Sequence, residues 1–242
     1  MSRRSRVRSV DEVAEGLSGL WDQETGEVVA SAGLKKAIVD QVQRLYYHSD
    51  PAIWKATTYR GITTWKCPLD LWVYQEIITE VQPGVVVETG TGFGGSALFL
   101  ADLCETLGHG QVFTIDIADR AVEVEHSRLT KLIGSSADPA IRDLVLGQIP
   151  ANEPVMVILD SDHTADHVLA ELRLWGDVVT PGSYLIVEDT NINGHPVLPS
   201  FGPGPAEAVT SFLPERPDFT VDESREKFLI TWNPGGFLRR AP

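Results

Sequence analysis

Four carboxylates fall where short apolar runs end. VFTID (112–116) ends on Asp116, VMVILD (155–160) on Asp160, and YLIVED (184–189) on the pair Glu188–Asp189. Runs of this kind, β-branched and bounded by polar residues, read as buried strands, so the acids mark strand tips. Carboxylates crowded at neighbouring tips are costly unless a cation lies among them. Three oxygen ligands from Asp160, Glu188 and Asp189 suit Mg²⁺ or a similar hard ion, with water or substrate oxygens completing an octahedron. The plainer use of such acids is helix capping, which Asp162 could perform for a helix beginning near His163. An iron oxygenase centre, with two histidines and one carboxylate, does not match this all-carboxylate set.

His163 lies three residues past Asp160, placed either to take a proton or merely to hydrogen-bond beside the carboxylates. With His167 it makes an H-x-x-x-H pair. Position 164 is threonine, so the glutamate that serves as general base in zinc proteases is missing. His167 is expected to face a neighbouring helix or solvent.

A glycine cluster, ETGTGFGGS (88–96), follows the run VVVET (85–89) and precedes the helix-like SALFLADLCETL. Gly90, Gly92 and Gly95 satisfy G-x-G-x-x-G, the dinucleotide fingerprint, although a tight strand-to-helix turn can use the same residues. A pyrophosphate favours helix N-terminal amides with no carboxylate nearby, yet Glu88 immediately precedes the loop. S-adenosylmethionine carries a sulfonium and an ammonium, which suit a carboxylate and a close glycine backbone. The methyl donor is therefore the preferred ligand over a nicotinamide nucleotide. Asp116 can accept bonds from ribose hydroxyls with either cofactor. Ser135, Ser136 and Asp138 follow the run LTKLI (129–133), where a loop could touch adenine.

The elements that must hold these residues alternate. Between the apolar runs lie helical stretches such as HVLAELRLW (167–175), and FLITW (228–232) reads as a late strand. That alternation predicts a doubly wound α/β fold with a mainly parallel sheet and helices on both faces. With the methyl-donor loop the expected class is a Rossmann-like class I methyltransferase of seven strands. The thinning of helices after Pro205 suggests an antiparallel hairpin closing one edge. Upstream, Leu34, Ile38, Val42 and Leu45 recur at helical spacing, and a second helix should start near Pro68 and run towards Val81. Residues 1–67 are expected to form a tail and helical extension, and 68–242 the methyltransferase domain.

Composition narrows the partners. The 242 residues are 43% hydrophobic and 22% charged, ordinary for a globular chain, with a net charge of −14. That acidity argues against a nucleic-acid substrate. Arg3, Arg4, Arg6 and Arg8 are the local exception, read as a solvated tail, with a weak contact to an anionic membrane or partner as the alternative. No stretch approaches the roughly 18 to 20 apolar residues of a membrane span. Acids at residues 11, 12 and 15 interrupt any signal-peptide core, and Cys67 and Cys104 read as reduced structural thiols. A cytoplasmic location is expected, with the N-terminal helices a candidate homo-oligomer interface.

From about Trp54 to Leu238 the chain resembles the rhamnosyl O-methyltransferases of actinobacteria, within the wider family labelled cephalosporin hydroxylases. The resemblance rests on WKATTYRGITTWK (54–66), YQEI (74–77), GGS (94–96), LDSDH (159–163), HVLAEL (167–172), VEDTNINGHPVLPSFGPGPAEA (187–208) and GFL (236–238). It implies metal acids at Asp160, Glu188 and Asp189, a proton acceptor at His163, and cofactor contacts at Glu88, Gly90, Ser96 and Asp116. Gly92 departs from the family pattern, which carries a larger residue there. The implied activity is S-adenosylmethionine- and Mg²⁺-dependent methylation of a sugar hydroxyl on a glycolipid, nucleotide sugar or glycosylated natural product. A non-sugar hydroxyl or an amine is the alternative acceptor. Asn191, Asn193 and His195 either offer polar contacts from one wall of the acceptor pocket or belong to a merely rigid loop, and Trp54, Tyr59 and Trp65 form either an aromatic platform for a sugar face or core packing.

Overall fold

The computed structural model describes residues 20, 22, 24–121 and 123–242; the N-terminal arginines lie outside them. The chain divides into two compact units, Met1–Val42 and Gln43–Pro242. Helix α1 (Ala32–Tyr47) carries the expected periodic stripe, but Val42 and Leu45 on it are exposed.

The larger unit opens with a small hairpin, β1 (Thr58–Tyr59) and β2 (Ile62–Thr63). Residues 43–67, assigned to the extension from sequence, pack with this unit: Tyr59 donates to Asp102 Oδ2 at 2.9 Å, and Lys66 reaches the strand-tip acids. Helix α2 (Pro68–Val81) starts on its proline, as the spacing predicts. The seven-stranded sheet runs β5-β4-β3-β6-β7-β9-β8. Its parallel strands are β3 (Val85–Thr89), β4 (Gln111–Asp116), β5 (Leu129–Ile133), β6 (Val155–Leu159) and β7 (Tyr184–Val187). Strands β8 (Phe219–Val221) and β9 (Phe237–Arg240) close one edge antiparallel.

The expected strand FLITW does not form; residues 228–232 are irregular, and the final strand is the downstream FLRR. Leu229 sits at φ +67°, unlike any strand backbone, and the Trp232 N–H donates to the Asp70 carboxylate rather than to a neighbouring strand. Tertiary bonding outweighs the β propensity of the segment.

Strand alternation splits the core into two layers. Val86 and Ile158 face helices α2 and α3 (Gly95–Leu107), while Val87 and Val157 face α4 (Pro139–Leu146), α5 (Ala165–Trp175) and α6 (Pro205–Phe212). The two buried cysteines are free thiols. Among the described residues no helix is long and apolar enough to cross a membrane.

The chain steps outward from β3 to β4 and β5, then returns to place β6 on the other side of β3. That reversal opens a crevice at the carboxyl ends of β3 and β6, the place where such sheets bind ligands.

Candidate active site

A cavity of about 570 Å³ occupies this crevice. The glycine loop leaves β3 with Gly90 at φ +84°, and a Cβ there would lie 1.8 Å from the Asp160 carbonyl oxygen. Glycine is required because the first loop and the β6 tip touch backbone to backbone. Gly90, Gly92, Gly95, Ser96, Asp116 and Ser136 all line the cavity. Asp116 Oδ2 accepts the Gly92 N–H at 3.0 Å, which ties the second strand tip to the loop.

Glu88 does not reach the cavity wall. It lies on the opposite strand face from Thr89, fully buried, and accepts a 2.7 Å bond from the Thr114 hydroxyl. Burial pushes its carboxyl up, with Lys66 opposing. The sequence places Glu88 beside the loop; the pleat turns its side chain underneath it.

Asp160, His163 and Asp189 line the same cavity from the tips of β6 and β7. Each offers a ligand atom, and these atoms lie within 4.8 Å of one another, a spacing that one ion could bridge. His163 Nε2 is 4.0 Å from Asp160 Oδ1. Asp189 Oδ1 is buried without a hydrogen-bond partner among the described residues. A buried carboxylate with an orphaned oxygen, grouped with a second carboxylate and an imidazole, fits a divalent cation.

Glu188, expected as the third acid of the cation site, lies outside the Asp160–His163–Asp189 group and makes a buried ion pair with Lys66. Lys66 is 3% exposed and also bonds Asp160, so one ammonium links two of the nominated acids. Burial alone would drag that ammonium down; the carboxylates of Asp160, Glu188 and Glu88 outweigh it and hold it above its ordinary value. Burial lowers and Asp189 with Asp160 raises the His163 imidazole, and the carboxylates prevail. Lys66 was not singled out from sequence; its partners lie 94 and 122 residues away.

The structure also moves His167. Expected to face a helix or solvent, it lines the cavity, with Nε2 3.3 Å from the Ser136 hydroxyl and 3.7 Å from Glu171 Oε1. The reason is helical phase: α5 starts at Ala165, which turns His167 towards the β5 loop.

Aromatic rings form another wall. Trp54 stacks on Tyr47 at 5.5 Å and meets Trp65 and Trp232 edge-on at 5.6 and 5.7 Å. All four line the cavity, whereas Tyr59 packs on Phe99 elsewhere. The 191–204 loop contributes Ile192, Leu198 and Phe201 to the cavity. Its expected polar contacts are spent internally, because Asn193 and His195 both bond Glu207 at the start of α6. Asn191 is buried away from the cavity.

A family profile described as rhamnosyl O-methyltransferase/CmcI matches residues 51–241, most of the chain and every residue named in this site except Tyr47. The chain belongs to that family. Within it, the chain is 40% identical to the rhamnosyl O-methyltransferase of Mycobacterium bovis (strain BCG / Pasteur 1173P2), over 91% of this chain and 98% of the relative. It is 39% identical to the rhamnosyl O-methyltransferase of Mycobacterium leprae (strain TN), over 84% and 91% of the two chains. A solved structure of CmcI described with Mg and SAM superposes with a TM-score of 0.61 at 19% identity, covering 100% of this chain and 88% of that one. The rhamnosyl O-methyltransferase/CmcI member described here thus has the expected Rossmann-like methyltransferase fold, and it is an O-methyltransferase.

Proposed function

We propose that the chain transfers the methyl group of S-adenosylmethionine to a sugar hydroxyl, a rhamnosyl unit first among acceptors, with the help of a divalent cation such as Mg²⁺. The observation that carries this reading is a juxtaposition within one cavity. The glycine cradle, the Asp160–His163–Asp189 group and the tryptophan wall all face the same space. The names of the 40% and 39% identical relatives support the rhamnosyl acceptor.

S-adenosylmethionine supplies an electrophilic methyl group on a sulfonium. The chain's part is to hold it: Gly90, Gly92 and Gly95 allow close backbone approach, and Asp116 and Ser136 offer polar contacts further along the cavity. A divalent cation held by Asp160 and Asp189, with Glu188 adjoining, supplies Lewis acidity that makes a nearby hydroxyl easier to deprotonate. His163 Nε2 faces the same space and takes that proton, its affinity for it strengthened by Asp189 at 3.2 Å. Trp54, Trp65 and Trp232 present flat apolar surface, on which a sugar face can pack while water is displaced.

The test is to incubate the protein with methyl-labelled S-adenosylmethionine, Mg²⁺ and a panel of rhamnosides and non-sugar alcohols. Label on a rhamnosyl oxygen supports the reading. Label on a non-sugar oxygen alone contradicts the acceptor, and no transfer to any oxygen contradicts the whole.

A further inference from the structure

Asp189 sits at φ +55°, in the left-handed region, which aspartate visits more readily than most residues other than glycine but still at a cost. A backbone kept there must be over-determined by its surroundings. The Asp189 carbonyl accepts the Ile192 N–H at 3.2 Å, and the side chain that holds the Asp189 N–H is Asn233. Its Oδ1 accepts the Asp189 N–H at 3.2 Å, and its Nδ2 donates to the Tyr74 hydroxyl of α2 at 2.8 Å. Asn233 is wholly buried and Tyr74 1% exposed, so the bond between them is shielded from bulk water.

The segment of chain around Asn233 is strapped on either side of Asp189. Upstream, the Val187 N–H donates to the Gly236 carbonyl at 2.8 Å, and a Cβ on Gly236 would lie 2.2 Å from the Val187 oxygen. Downstream, the Thr190 hydroxyl donates to the Pro234 carbonyl at 2.8 Å. Between these fixed points, the bond from Asp189 to Asn233 sets the peptide orientation. Asn233 itself does not line the cavity.

We propose that Asn233 is a positioning residue of the cation site: it locks the left-handed turn at Asp189 and so keeps its carboxylate beside Asp160 and His163. Without it the Asp189 N–H loses its protein partner in a part-buried position. Relief of that penalty turns the peptide and swings the carboxylate out of the group. The inference rests on the reading of Asp160 and Asp189 as cation ligands.

The experiment is calorimetric titration of the full chain with Mg²⁺ and, separately, with S-adenosylmethionine, for wild type, Asn233→Ala and Tyr74→Phe. Loss of a bond to a buried group predicts Mg²⁺ binding weaker by about tenfold in Asn233→Ala. Tyr74→Phe frees only one end of the clamp and is expected to lose about threefold, and it decides the matter if Asn233→Ala does not fold. S-adenosylmethionine affinity should stay within about twofold of wild type in both. Unchanged Mg²⁺ affinity in the folded variants overturns the role of Asn233, as does a parallel loss of both ligands, which would mark general disruption. Absence of Mg²⁺ binding by the wild type would instead overturn the cation reading itself.

Discussion

His163 Nε2 lies 3.2 Å from Asp189 Oδ2, which joins the side chain that would move a proton to one that would hold a cation. The two arise from different strand tips, β6 and β7, which are paired in the sheet. The carboxylate orients the imidazole and strengthens its hold on a proton.

Replacing His163 with alanine is therefore expected to lower turnover by about a hundredfold or more at neutral pH, the usual size of a general-base contribution. Part of the loss should return as pH rises and the hydroxyl ionises without help. Steady-state rates across pH 6 to about 9 check this. An unchanged pH profile removes His163 from the proton-accepting role.

Lys66 carries a structural prediction. Its removal leaves Asp160 and Glu188 buried without their shared cation, and breaking one side of such a pair costs about 3–5 kcal/mol. Lys66→Met should unfold at markedly lower denaturant, and added Mg²⁺ should restore part of the loss by binding the freed acids. A variant as stable as wild type would show that the ion pair contributes nothing net.

Asp70 supplies a pH dependence. Burial pushes its carboxyl up to about 7, against bonds from Thr231 and Trp232 that favour the charged form. Between pH about 4 and about 7 the folded chain keeps a proton that the unfolded chain has released, so stability falls as pH rises through that window. Asp70→Asn keeps an acceptor for the Trp232 N–H and removes the titration, and it should flatten that slope. Melting temperatures of both proteins from pH 4 to about 8 decide it. Parallel curves would contradict the assignment.

The parts of this architecture legible from sequence are those set by local pattern. The run VVVET and the proline start of α2 fall on the boundaries their residues announce, because strand and helix periodicity act over a few residues. Strand-tip acids were legible for the same reason: a run that stops on a carboxylate leaves it at the crevice. Lys66, Asn233 and Trp232 were not, since each works through a partner far along the chain. Glu88 and Glu188 show the limit from the other side. Their positions in sequence place them near the site, but only the pleat and a distant lysine decide where their carboxylates point.

The most direct test of the central claim is turnover against free Mg²⁺ in protein stripped with a chelator, with S-adenosylmethionine and a rhamnosyl acceptor at saturation. The cavity predicts negligible methyl transfer until Mg²⁺ is added, then a hyperbolic rise that Asp160→Ala and Asp189→Ala both abolish while S-adenosylmethionine still binds. Full methyl transfer in excess chelator, or undiminished turnover in those two variants, would contradict a cation at the tips of β6 and β7.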